Sequence, residues 1–177
     1  MKLTLLLVSS LDGVTSQGGN EDHHSWTSEE DRHIFNKERD KAKLIIMGSN
    51  TYKGAKPFME HVDGRLRVVM TRTPDDYREE RIPGQLIFTD ENPSDLIKRL
   101  EEEKDIHEGI LVGGANLINE FLKADLVNEI WITIEPWLKG EGLHTAISKI
   151  DIPLKLLSFE RLNEKGTLHL KYSVIKN

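Results

Sequence analysis

Cysteine is missing from all 177 residues, which closes off disulfide scaffolds, thiolate zinc sites, iron–sulfur clusters and thiol nucleophiles. A thiol-free chain suits a reducing compartment, and a cytoplasmic setting is expected. Long apolar runs are missing too: the longest, Leu3–Val8, falls far short of the ~20 residues of a membrane span and lacks a signal-peptide pattern. Positive charge is in the minority, with 24 Lys+Arg against 30 Asp+Glu and a net charge of −6. Nucleic acid is therefore not expected as the main partner, although a local basic pocket for one phosphorylated small molecule is compatible with an acidic whole. No Ser/Gly linker, composition shift or repeat divides the chain. Its length fits a single domain over 1–177 that buries ~68–70% of its unfolded surface.

What is present alternates. Short β-type runs occur at Leu3–Ser9, Lys43–Met47, Leu66–Thr71, Gln85–Phe88, Gly109–Val112, Glu129–Glu135, Leu154–Leu162 and Thr167–Ile175. Several are apolar throughout, as expected of parallel strands covered on both faces. The last two alternate more and are joined by Asn163, Glu164, Lys165 and Gly166, so they predict an antiparallel hairpin at a sheet edge. Between the runs lie about four amphipathic segments with helix-start signals. Thr27 with Glu30, or Ser28 with Asp31, has capping-box spacing before Ile34 and Phe35. Ser49 or Asn50 is expected to cap a short helix ending before Pro57, and Asn92 or Ser94 a third helix. Gly114 opens a fourth, with Leu117, Ile118, Phe121 and Leu122 facing the core. The class predicted is α/β in three layers, ending in an antiparallel hairpin.

Four segments can carry chemistry, because ligands of open α/β sheets sit outside the carboxyl ends of strands. Ser10-Leu11-Asp12-Gly13 ends the first strand, though Asp-Gly is also a plain turn signal. Val112-Gly113-Gly114 runs straight into a helix start that suits a phosphate, without the GxGxxG pattern; a simple turn is the other reading. Met47-Gly48-Ser49-Asn50-Thr51 repeats the strand–glycine–helix theme, and Thr71-Arg72 follows an apolar strand. A hydroxyl, a cation and helix starts at neighbouring strand ends suit an anion such as a 2′-phosphate. His23 and His24 beside Glu21 and Asp22 lack helical ligand spacing and a third ligand, so no metal is expected. No GxSxG elbow supports a serine nucleophile. Trp26 fits either stacking on a planar ligand or packing before a helix start.

The ordered set SSLDG, SWTSEEDRHIF, LIIMGSNTY, VVMTR, ILVGGANLINEFL and LVNEIWITIEPWLKGEG resembles the dihydrofolate reductase superfamily over nearly the whole chain. Within it, the chain is most similar to the C-terminal reductase domain of bifunctional riboflavin-biosynthesis deaminase-reductases. That resemblance implies an eight-stranded mixed sheet with four flanking helices, NADP(H) as cofactor and a homodimer. Gly113, Gly114, Ala115 and Asn116 would lie against the cofactor phosphates, with a cis peptide between the glycines. Gly48, Ser49 and Thr51 would border the adenosine side, and Thr71 and Arg72 would select the 2′-phosphate. Ser10, Asp12, Gly13, Trp26 and Ser28 would face nicotinamide and substrate, and Asp31 matches the pterin-binding acid of folate reductases. The family's G-x-x-T after the second strand is kept at Gly48 and Thr51, but the D-x-P-x-L segment that, with basic residues, helps hold a ribose phosphate is not: Lys53–Phe58 reads KGAKPF. The activity implied is NADPH-dependent reduction of a phosphoribosylaminopyrimidine or a related imine or carbonyl, with Asp12 or Asp31 orienting substrate or assisting proton delivery. A folate reductase and a non-catalytic NADPH-binding protein of the same fold are the alternatives.

Overall fold

A computed structural model describes residues 1–16, 26–144 and 150–176. Their centre is an eight-stranded mixed sheet in the order β5-β4-β3-β6-β1-β7-β10-β9. Its strands are β1 (Lys2–Ser10), β3 (Leu44–Gly48), β4 (Leu66–Met70), β5 (Leu86–Thr89), β6 (Glu108–Leu111), β7 (Glu129–Glu135), β9 (Leu154–Arg161) and β10 (Leu168–Val174). The first six run parallel, and β10 and β9 form the expected antiparallel hairpin at one edge.

The apolar runs become central strands because both of their faces are covered. On one face, helices α3 (Pro93–Lys104) and α4 (Ala115–Lys123) bury Leu96, Leu100, Ile118 and Phe121 against Leu3, Leu5, Leu44, Ile46 and Val68. On the other, Leu6, Ile45, Met47, Val69 and Ile110 meet Tyr52 and Tyr77. Helix α1 (Glu29–Lys41) begins at Ser28, whose hydroxyl accepts from the Asp31 N–H, and α3 begins at Asn92, whose amide oxygen accepts from the Asp95 N–H. Each of these satisfies one donor that a helix start would otherwise leave bare.

One local expectation needs correction. Helix α2 (Ser49–Ala55) is capped by Gly48, not by Ser49 or Asn50, because β3 stays extended through Gly48 and the chain turns into the helix there without a side-chain cap. Beyond α2, Pro57 is absorbed in a 3-10 turn at Lys56–Phe58, since its fixed φ is tolerated in a first turn. A second 3-10 segment, Pro74–Glu80, carries Tyr77 onto Phe88, with ring centroids 4.6 Å apart and planes nearly parallel. A two-stranded sheet of β2 (Val14–Ser16) with β8 (Leu143–His144) was not foreseen; these strands are too short to show a period. No helix among the described residues is long and apolar enough to cross a membrane.

Phe121 is fully buried where α4 meets the sheet. Replacing it with alanine is expected to cost ~3–5 kcal/mol, seen as a lower urea midpoint with an unchanged slope.

Candidate active site

The parallel ladders bring the carboxyl ends of β1, β3, β4, β6 and β7 to one edge of the sheet. Ser10 stands opposite Glu135 at the end of β1 and β7, and Gly48 opposite Met70 at the end of β3 and β4. The four strand-end segments singled out in the sequence, Ser10–Gly13, Met47–Thr51, Thr71–Arg72 and Val112–Gly114, all meet this edge.

The glycine segments converge. The Gly48 N–H donates to the Gly113 carbonyl at 2.7 Å, and a Cβ built on Gly48 would lie 3.5 Å from the Gly114 nitrogen. Cβ atoms on Gly113 and Gly114 would lie 3.7 and 3.6 Å from Thr51 Oγ1. Gly113 has φ of +113°, which suits glycine, and the Gly113–Gly114 peptide is cis as the resemblance implied. Gly114 caps α4 without a side chain, so the N–H groups of the first turn, with Ala115 and Asn116, stay available to an anion. One step past the Gly48–Met70 pair lies Thr71, whose N–H donates to Thr89 and whose hydroxyl accepts from the Thr73 N–H at 3.3 Å. Arg72 is exposed and forms no ion pair among the described residues. The cradle is smooth backbone, with the exposed Arg72 on the strand end next to Gly48.

The acids Asp12 and Asp31 stand in opposite environments. Asp12 accepts from Ser10 Oγ at 2.5 Å and from the N–H groups of Lys139 and Gly140 at 3.1 and 2.7 Å. The Ser10 hydroxyl, followed by these two backbone donors, holds its carboxyl far below the usual carboxylate range. Asp12 therefore clamps the turn after β1 to the loop after β7, and the Leu11 N–H reinforces the clamp by donating to Trp137 O at 2.9 Å. Ser10 Oγ also accepts from the Val14 N–H.

Asp31 is 9% exposed. Burial pushes its carboxyl up to about 6, and the charge of Glu135 adds to the rise against a hydrogen bond to Thr133 and the nearby Arg32. Glu135, also buried, accepts from the Ser28 N–H at 2.7 Å and from Thr167 Oγ1 at 2.8 Å. Behind Asp31, Thr133 Oγ1 lies 3.2 Å from His169 Nδ1. Trp26 is buried at the start of this pocket, with Lys139 Nζ 5.0 Å above its ring. The structure thus brings Trp26, Ser28 and Asp31 beside Ser10 and Asp12 through the end of β7.

Thr133, Glu135, Thr167 and His169 were missed in the sequence. Thr133 and Glu135 lie inside the quoted segment LVNEIWITIEPWLKGEG, and Thr167 and His169 in the last strand and the turn before it, but the signal available was only a polar side chain at an inward strand position. The histidine pair at 23 and 24 lies outside the described residues, as does most of the 18–26 segment.

Comparison with known proteins follows the same geometry. The family model of the RibD C-terminal domain matches residues 1–168. The Bacillus subtilis (strain 168) protein YwjB is 30% identical over 172 residues, covering 94% of this chain and 90% of that one. Among solved structures, a Shewanella sp. PV-4 protein superposes with a TM-score of 0.79 at 20% identity, covering 99% of this chain and all of its own. The Thermotoga maritima diaminohydroxyphosphoribosylaminopyrimidine deaminase/5-amino-6-(5-phosphoribosylamino)uracil reductase gives a TM-score of 0.75 at 17% identity over 98% of this chain and 56% of that one. These likenesses carry the fold, and the family match carries membership: the chain belongs to the RibD C-terminal domain family.

Proposed function

We propose that this protein is a cytoplasmic NADPH-dependent reductase of the riboflavin-biosynthesis type, acting on an imine or carbonyl of a small pyrimidine-like substrate. The observation that carries the reading is the placing, at the strand-end side of one sheet, of an anion-suited glycine cradle and of Asp31, a carboxyl buried beside Thr133 and Glu135 and pushed by that burial up to about 6. Gly48, Ser49, Thr51, Gly113, Gly114, Ala115 and Asn116 would hold the cofactor's phosphates and adenosine, with Thr71 and Arg72 at the 2′-phosphate. NADPH bound there would supply the hydride. The chain's own tasks are to orient the substrate, exclude water and hold a proton. Asp12 is engaged by three donors and suits the first of these, with Ser10, Trp26 and Ser28 lining the substrate side. Asp31 is the residue of the two suited to deliver a proton. Its hydrogen bond to Thr133 also favours a second reading, reduction of a folate-like pterin, which turnover of dihydrofolate in place of a pyrimidine substrate would establish.

Micromolar NADPH binding, followed by fluorescence titration, is expected; no binding, or a preference for NADH, overturns the cofactor assignment. Arg72→Ala is expected to weaken NADPH by ~10–100-fold with little effect on NADH, and equal losses reject its 2′-phosphate role.

With substrate, kcat/KM should fall about tenfold per pH unit above about 6, and Asp31→Asn should flatten that profile at a rate ~10²–10⁴-fold lower. The same acid affects stability. Folded Asp31 binds its proton to about pH 6 against 3.8 for the ordinary group, so the folded state holds more protons in that window and stability falls as pH rises through it. Asp31→Asn should therefore be more stable than wild type above pH 6, by up to ~3 kcal/mol, and gain nothing below pH ~4 in urea titrations.

A further inference from the structure

Asp31 does not stand alone in its pocket. Thr133 of β7 and His169 of β10 are register partners, so their side chains share one face of the sheet, the face over which α1 lies. Asp31 reaches from α1 to hydrogen-bond Thr133, and Thr133 Oγ1 lies 3.2 Å from His169 Nδ1. Acid, hydroxyl and imidazole thus form a chain, with Thr133 1% and His169 6% exposed. At its far end, His169 Nε2 is buried and meets no hydrogen-bond partner among the described residues. A buried imidazole with one nitrogen left bare is a costly occupant of a position where an apolar side chain would pack.

A threonine hydroxyl has a single hydrogen, so Thr133 can donate to Asp31 or to His169 but not to both. The imidazole decides which. Burial, followed by the charge of Lys171 on the same strand, holds His169 below the ordinary histidine value, against the carboxylates of Glu160 on β9 and Glu38 on α1. The neutral ring carries one hydrogen. On Nε2 that hydrogen would be a buried donor without an acceptor, and the Nδ1 lone pair would draw the Thr133 hydrogen away from Asp31. On Nδ1 it meets Thr133 Oγ1, and the Thr133 hydrogen turns to Asp31.

We propose that His169 is a positioning residue for Asp31: its Nδ1–H donates to Thr133 Oγ1 and thereby commits the Thr133 hydroxyl hydrogen to the Asp31 carboxyl. The committed hydrogen bond stabilises the carboxylate, as the nearby Arg32 does, and so opposes the burial and the Glu135 charge that raise this acid. It also confines the acid proton to the carboxyl oxygen that Thr133 does not occupy, where a substrate group can take it. The use in proton delivery rests on the reductase reading, whereas the hydrogen-bonded chain needs neither cofactor nor substrate.

NMR titration of the isotope-labelled Asp31 carboxyl in the full chain, without NADPH or substrate, tests the assignment, with Asp31→Asn identifying the signal. His169→Leu is expected to raise the midpoint by about 0.5–1 pH unit from its wild-type value of about 6. His169→Asn, whose side-chain amide places a donor where Nδ1 stands, should keep the wild-type midpoint. In a Thr133→Val background His169→Leu should add no further shift, since its effect passes through the hydroxyl. Nitrogen NMR of the wild-type ring should find the hydrogen on Nδ1, and serves if His169→Leu does not fold. An unchanged midpoint in folded His169→Leu, a His169→Asn midpoint as high as that of His169→Leu, an equal shift in the Thr133→Val background, or a hydrogen on Nε2 each overturns the proposal. A chain that shows the expected shifts but binds no NADPH keeps the His169 assignment and loses only the reductase reading.

Discussion

The parallel ladder between β1 and β7, in register from Thr4 and Glu129 to Ser10 and Glu135, is the constraint on which the candidate site depends. It puts the Ser10–Gly13 turn beside the loop that follows β7, so that Asp12 can reach the backbone of Lys139 and Gly140. It also sets Glu135 where the start of α1 can bond to it through Ser28. Without this register the two acids would belong to separate surfaces. With it, one acid fastens the frame and the other is enclosed by it.

How much of this was legible follows from range. The eight long strands could be read because an apolar run between turn signals is a local property, and the caps Ser28 and Asn92 because a cap bonds only three residues ahead. Gly113 and Gly114 were legible as a strand–helix junction. What could not be read is their meeting with Gly48 and Thr51, which arises from two separate strand ends. The Asp31 pocket is harder still: Thr133, Glu135, Thr167 and His169 reach it from β7, β10 and the hairpin turn, and no spacing in the chain marks them. Gly48 displaced Ser49 as the cap for a related reason, since the length of β3 is fixed by its pairing with β4.

The electrostatics follow the same division between global and local. An acidic chain still presents an exposed Arg72, with no ion pair among the described residues, two positions past the end of β4. Within the pocket, burial and a neighbouring carboxylate raise Asp31, while hydroxyl and amide donors lower Asp12. Two chemically identical side chains thereby acquire different capacities, one for holding structure and one for holding a proton.

The pairing of β2 with β8 carries a consequence for how such a site can diversify. Gly142 comes so close to this clasp that an added Cβ would sit 2.5 Å from Ser16 O and from Val14 Cγ1. Any side chain there would wedge the clasp apart, so this position is closed to every residue but glycine while the clasp stays paired. After α2, by contrast, Gly54 has nothing within 4 Å of an added Cβ and Phe58 stands exposed, so side chains can change there without a clash. Sequence variation on this scaffold would collect there long before it reached Gly142.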